Sequence, residues 1–425
     1  MTVSYANANT LTSLNTEFRY IQDKAQSLLP ENAILMKLVP AITEATKEGR
    51  KYLVPVQLSH ENGVTYGDGT VFALNNASSA VYSEIQVDAS PTILLTQISE
   101  SVANRMANSK QTFITEASLR AKVMYDSLAR FLEISMLYGK SPYGIAAGAS
   151  AGSTTQVSGA LYTNTFVMTT ASWASGIWSG AIGMQVDAYS SAVAVNSAAL
   201  TVTAVVNSTR SVTIQGTQAD LAAVATAIAT AYFFVYGSYT NDMIGLDYQI
   251  IGGTTFFNIN PTLYSLWQGQ TYACGSAALT MAKVLAGVGL AVGAGGLNSK
   301  VVLMVSAATY ANLNSDQAAL RMYDGSYESK EAESGTKGIR YWGPNGEIEV
   351  MVNNIVKQGE AFAVPPQHLK RVGAKELSFE RPGKKDEFFQ EIPGYAGYSL
   401  RAGAEFAILC ERPAQCVKFT GIVNS

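Results

Sequence analysis

Histidine is nearly absent from this sequence: His60 and His368 are the only two in 425 residues. That is too few for a histidine-built metal cluster, and each reads as a solvated loop residue, one in a glycine-rich stretch and one after Pro365-Pro366. Cysteine is also scarce. Cys274, Cys410 and Cys416 are odd in number and show no Cys-x-x-Cys spacing, which argues for buried thiols rather than a redox or zinc site. Charged residues make up only 14% of the chain, against about a quarter in ordinary domains, so much of the surface is suited to being covered by other subunits. The net charge of -3 lacks the basic footprint of a protein that grips phosphates tightly. The longest uncharged apolar runs, 221–236 and 284–297, fall short of the about 20 residues a membrane helix needs. The start, MTVSYANANT, shows no basic segment leading into an apolar one, so no export signal is expected.

Catalytic motifs are missing as well. GVGLAVGAGG at 287–296 lacks the strand, GxGxxG and helix order of a dinucleotide site and reads as a flexible connection. Asp242, Asp247 and Asp324 are scattered without a calcium loop, and the GAS near 148 lacks a GxSxG elbow. The charged KKDEFFQE at 384–391 reads as a solvated loop. No catalytic, cofactor-binding or metal-ligating residue is assigned, and the chain reads as a non-enzyme without a cofactor.

What is present is a run of distinct structural patterns. Residues 11–50 hold too few apolar side chains for a core of their own and read as an arm that leans on something else. Tyr52, Val54, Val56 and Leu58 then alternate with their neighbours, as do Val81, Ser83, Ile85 and Val87, so two strands form a long hairpin. Between them Asn62-Gly63 and Gly67-Asp68-Gly69 are expected to supply positive φ at the tip. A two-stranded hairpin is marginal alone, so its apolar face must rest on another surface.

From 112 to 138 the period changes to that of a helix. Phe113, Ala117, Ala121, Met124, Leu128 and Phe131 share a face, Glu116 with Arg120 and Asp126 with Arg130 are spaced as i,i+4 pairs, and Gly139 is placed as the terminator. Residues 151–240 carry only Asp187, Arg210 and Asp220 as charges and read as an all-β insertion. Within it a hairpin spans 200–216 with its turn at 207–210, and a short helix lies near 218–230. Beyond it come a helix in AALTMAKVLAGVGLAV, the buried strand KVVLMVS leading to Ser306 as an N-cap, and a hairpin about Gly343-Pro344-Asn345-Gly346. The stretch AEFAILCERPAQCVKFTGI gives two short strands split at Pro413 that return to an earlier sheet. Strands and helices fall in separate runs, which argues an α+β fold.

This order of parts resembles the major capsid protein of tailed bacteriophages, whose fold is shared with the herpesvirus shell and encapsulins. KYLVPVQLSHENGVTYG resembles that family's extended loop, FNINPTLYSLWQGQTYACGSAALTMAKV its approach to the axial domain, and VSAATYANLNSDQAALRMYD the axial domain itself. The resemblance implies an N-terminal arm at 1–49, an extended loop at 50–95, and a peripheral domain at 96–150 with its spine helix. It further implies a β-rich insertion at 151–245, an axial domain at 246–372 and a C-terminal return to the peripheral domain at 373–425.

It also implies a subunit that tiles an icosahedral shell as hexamers and pentamers around double-stranded DNA, without gripping that DNA tightly or meeting a membrane. Scaffolding, portal and cement proteins are its candidate partners, and the virion, assembled in the host cytoplasm, is its place. Tyr52, Val54, Val56, Leu58, Asn62, Gly63, Tyr66 and Gly67 of the loop would meet the neighbouring subunit. Phe113, Ala117, Met124, Leu128 and Phe131 would belong to the spine. Some relatives crosslink a loop lysine to an asparagine of another subunit; here Lys51 stands at the loop's base and the next lysine is Lys110, so that crosslink is not expected. A β-rich surface adhesin, suggested by the Ser/Thr-rich insertion, would need an export signal. A filament-forming or encapsulated enzyme would need a cluster of acid, base or nucleophile.

Overall fold

The computed structural model of the chain describes residues 33–42, 47–48, 51–99, 110–251, 253–315, 339–379, 389–394 and 396–424. Most of the expected arm, and the part of the axial match beyond 315, lie outside these residues. Among those described, strands form four sheets and no helix is long and apolar enough to cross a membrane.

The helix Lys110–Tyr138 runs for 29 residues, about 43 Å at 1.5 Å per residue. Ala121, Met124, Leu128 and Leu132 recur at three- and four-residue intervals and are buried, while Lys122 and Val123 face out. This apolar stripe lies on a five-stranded sheet built from Ala41–Ile42, Ser90–Ser99, Leu369–Ser378, Phe389–Glu391 and Gly397–Cys410. Two details differ from the sequence reading. Arg130 does not stay with Asp126; its Nη2 donates to the carbonyl of Ile177 in the insertion. Gly139 does end the helix, but the left-handed residue is Lys140, at φ 52°. The glycine is needed for close approach, because a Cβ there would sit 2.3 Å from the Met243 carbonyl oxygen.

The charge-poor stretch closes into its own eight-stranded sheet between Ala146–Ala151 and Tyr232–Val235. Leu200–Val206 and Ser211–Gly216 form the expected hairpin, and Gln218–Ala227 is the expected helix, its N-cap Thr217 accepting from the Asp220 amide at 3.1 Å. Trp173 and Trp178 stack at 6.0 Å, both buried. Around them the insertion is stitched to the turn 353–359: Gly176 N donates to Asn354 O at 3.0 Å, Gln358 N to Trp173 O at 3.0 Å, and Gly359 N to Ala171 O at 2.8 Å.

A six-stranded sheet carries Val301–Val305 near its centre, parallel to Gly346–Val352 and antiparallel to Ala361–Val364. All five residues of Val301–Val305 are buried, as an unbroken apolar run flanked on both edges requires. Ser306 Oγ accepts from the Thr309 amide at the start of the helix Ala307–Ser315. The glycine-rich 287–296 is not a connection. It lies in the helix Met281–Gly295 and its cap, and Gly287 is there because a Cβ would come within 2.4 Å of the Phe419 ring.

The C-terminal strands also depart from expectation. Gly397–Cys410 is long, at 14 residues, because it pairs along one edge with Ser90–Ser99 and along the other with Leu369–Ser378 and Phe389–Glu391. Phe389–Glu391 is therefore strand rather than solvated loop. After the turn Pro413–Gln415, Val417–Ile422 joins the six-stranded sheet instead, between Gln270–Ala277 and Ala361–Val364.

Candidate assembly surface

The hairpin pairs Lys51–Gln57 with Tyr82–Asp88 in antiparallel register, Lys51 opposite Asp88 and Gln57 opposite Tyr82. Its base is anchored on its own chain. Ile85 and Val87 are buried, Tyr52, Val54 and Val56 are half-buried against the same core, and Leu58 is buried. Gln86 N donates to the Phe257 carbonyl at 3.1 Å, and Lys51 Nζ donates to Gln86 Oε1 at 3.0 Å. Of the loop residues singled out from the sequence, Asn62, Gly63, Tyr66 and Gly67 face outward, whereas Leu58 is enclosed.

Residues 58–81 form no strand or helix. The tip is held by local bonds: Asn62 N to Ser78 O at 3.1 Å, Asn75 N to Thr65 Oγ1 at 2.8 Å, and Thr70 N to Asp68 Oδ1 at 3.0 Å. Positive φ belongs to Gly69 alone, at 91°; Gly63 and Gly67 do not have it. A Cβ on Gly67 would instead meet the Phe72 ring. Large apolar side chains stand exposed along the tip, Tyr66 at 93% and Leu74 at 80% of full accessibility, with Val64, Val71 and Phe72 exposed as well. Exposed apolar side chains on a segment without a core are what a binding element presents.

A second apolar surface lies on the body. A groove of about 860 Å³ opens between the strand Ser90–Ser99, the outer face of the long helix and the segments 180–185 and 235–242 of the insertion side. Ile93, Leu95, Val123, Ile182 and Tyr236 are exposed at it. Of the spine residues, Met124 and Leu128 are buried at the groove's floor and Phe131 is half-buried there; the side chains of Phe113 and Ala117 lie outside the described residues. Among the described residues Ser90–Ser99 pairs on one edge only. Its free edge is a row of ladder donors and acceptors open to an added strand.

Buried charges position these parts, and the sequence reading missed them. Glu133 accepts from Leu35 N at 2.7 Å, Met36 N at 3.1 Å and Asn353 Nδ2 at 2.9 Å. Burial pushes its carboxyl up to about 7. Asp242 accepts from Ser135 Oγ at 2.8 Å, and burial pushes it up to about 6. Asp247 is not isolated: with Glu360, Lys357 and Lys418 it forms a closed ionic cluster. The only sequence signal for these groups was a charge inside an apolar run, as in Cys416-Val417-Lys418-Phe419.

Among the described residues no three His, Cys, Asp or Glu side chains converge. His60 is exposed, while His368 is half-buried in the turn Pro366–His368 rather than fully solvated, and burial pushes it down. All three cysteines are buried and free.

No family model matches the sequence, and no curated protein matches it. Solved structures do. The capsid asymmetric unit of cyanophage A-1(L) is similar at 11% identity and a TM-score of 0.52, over 94% of each chain. The capsid of a native GTA particle aligns at 8% identity and a TM-score of 0.47, covering 93% of this chain and 92% of that one. A Gordonia phage Cozz structure aligns at 9% identity and a TM-score of 0.43, over 95% and 94%. The fold assignment rests on the cyanophage comparison: across nearly its whole length this α+β chain has the fold of a phage capsid protein.

Proposed function

We propose that the chain is a structural, non-catalytic subunit of a closed icosahedral shell, a major capsid protein that assembles with copies of itself as hexamers and pentamers around a double-stranded genome. The observation that carries this reading is the loop 58–81, which exposes Val64, Tyr66, Val71, Phe72 and Leu74 to solvent in a single chain. Apolar surface of that extent is stabilised when a neighbour covers it, at roughly 25 cal/mol per Å². The groove beside Ser90–Ser99 offers a matching apolar face on the next copy. The fold supports the same reading, since a capsid protein of this architecture tiles a shell.

In this reading the hairpin's base belongs to its own subunit and the tip reaches across. The long helix and the sheet of Gly397–Cys410 form the peripheral body, and the six-stranded sheet is the axial part at the capsomer centre. Weak net charge keeps the inner face from adhering strongly to DNA. Scaffolding, portal and cement proteins are the expected further partners, and the host cytoplasm is the expected place of assembly.

Electron microscopy of the purified chain tests the proposal directly. Closed shells, or rings of five and six, are expected. A monodisperse monomer at every concentration and salt condition would overturn it.

A further inference from the structure

The ionic cluster at the junction of the two main sheets has the makings of a reaction centre, independently of any assembly. Lys418 stands on Val417–Ile422 with its side chain 2% exposed, and Asp247, in the helix Leu246–Ile251, has a side chain that is fully enclosed. Lys418 Nζ contacts Asp247 Oδ1 directly and lies 3.0 Å from Glu360 Oε1. Ser141 Oγ donates to the other Asp247 oxygen, Oδ2. The rings of Tyr143 and Phe362 stand 5.5 and 5.7 Å from the ammonium. The second cation, Lys357, is held apart: its Nζ donates to the Gly144 carbonyl at 2.8 Å and lies over the Tyr138 ring.

We propose that Lys418 and Asp247 condense into an isopeptide bond within the chain, with Glu360 as the proton carrier.

The chemistry balances without an oxidant or cofactor. Glu360 takes a proton from the ammonium and passes it to the Asp247 carboxylate, which leaves a free amine beside a neutral carboxyl. Nζ then attacks Cγ of the protonated Asp247 carboxyl, and the C–N bond forms. Ser141 Oγ, already bonded to Oδ2, donates to the oxyanion that develops there. Glu360 then carries a second proton from the nitrogen to the Oδ1 hydroxyl, the C–O bond breaks and one water leaves, with Glu360 a carboxylate again. The products are a neutral amide and water.

Three features favour this over a static ion pair. An amine held against a carboxyl by the fold has an effective concentration of about 10⁵–10⁸ M when well oriented. Enclosure disfavours charge, so replacing an ion pair with an amide removes a desolvation penalty of several kcal/mol per ion. Burial also pushes the Asp247 carboxyl up, toward the protonated form that an amine attacks. The two carboxylates hold Lys418 charged in the resting cluster, so proton removal by Glu360 is the step that opens the path. After condensation Glu360 and Lys357 remain as opposite charges, and the pocket stays neutral.

The test is the intact mass of the purified full chain under denaturing conditions, followed by digestion. The expected chain is lighter than its sequence by one water, and digestion yields a branched peptide joining the segments that contain Asp247 and Lys418. Lys418→Arg keeps the cation and is expected to show its full mass. Asp247→Asn is expected to close the same amide by losing ammonia, reaching the same final mass as the parent. A parent chain of full mass, or a lost water confined to an unbranched Asp247 peptide, would overturn the proposal.

Discussion

The backbone amide of Leu35 donates to Glu133 Oε1 at 2.7 Å, across 98 positions of sequence. The short helix Ile34–Leu38 has no side-chain cap of its own, and the carboxylate of the long helix supplies one from outside. The start of the described chain is thereby pinned to the middle of the body by a single buried acid.

That acid makes stability depend on pH in an unusual direction. Glu133 is raised from 4.5 to about 7, so the folded state holds the proton over a window in which the unfolded state has released it. Its contribution is full below about 4.5, falls as pH rises through that window and is lost above about 7, a swing of about 3 kcal/mol. Asp242, raised from 3.8 to about 6, acts in the same sense. Thermal melts between pH 4.5 and 7.5 are expected to show a shallower fall for Glu133→Gln than for the parent. An identical slope would show that Glu133 does not titrate in this window.

If the proposed shell role holds, the tip of the loop separates folding from assembly. Changing Tyr66, Val71 and Leu74 together to Ser removes apolar surface that is exposed in the single chain. Folding stability is expected to stay within about 0.5 kcal/mol at each such site, while shells give way to small species in sedimentation. Gly69→Val is the backbone counterpart, because only Gly69 at the tip has positive φ. It is expected to impair assembly more than Gly63→Val does.

Two glycines of one helix should respond to alanine with opposite signs. Gly289 has nothing within 4 Å of a built Cβ, so Gly289→Ala is expected to stabilise by up to about 1 kcal/mol through helix propensity. Gly287 faces the Phe419 ring at 2.4 Å, and there the same change forces overpacking that costs about 1–3 kcal/mol. Denaturant midpoints of the two variants decide it; a shift in the same direction for both would refute the packing argument.

Excision of the insertion sheet should leave a protein that melts cooperatively. Its ends are adjacent, with Ala146 opposite Phe233 and Ala147 opposite Tyr232, so a short Gly/Ser linker can replace residues 146–235. The cut releases the bonds of Asn354, Gln358 and Gly359 to the insertion, and the midpoint is expected to fall by several degrees. Calorimetry checks this, and a protein without a cooperative transition would place the sheet within the body's core.

Much of this architecture is legible in the sequence wherever one pattern runs uninterrupted. Alternation marks the limbs around Val54 and Ile85, three- and four-residue spacing marks Met124 and Leu128, and the low-charge stretch announces a separate sheet. Legibility fails where tertiary packing sets the residue type. Glycines at 287 and 295 look like a linker, yet they let a helix approach Phe419 and Ala414. The strand Gly397–Cys410 looks short because Arg401 and Glu405 interrupt its apolar run, and its length comes from partners on both edges. At the candidate surface, the exposed tip follows from its turn residues, but the groove at Ile93 depends on segments as far along the chain as 235–242. Glu133, Asp247 and Lys418 are single charges whose partners only the fold supplies.

The pairing of Ser90–Ser99 with Gly397–Cys410 also sets a clock on biosynthesis. A growing chain displays the first of these strands long before the second exists; at about 5–20 residues per second the intervening stretch of about 300 residues takes tens of seconds to translate. Through that interval Ser90–Ser99, one wall of the groove, lacks the strand that holds it in its sheet. In the proposed shell, a nascent chain therefore cannot offer neighbours on the same polysome a completed docking face, and competence to assemble would arrive together with the final residues of the sheet.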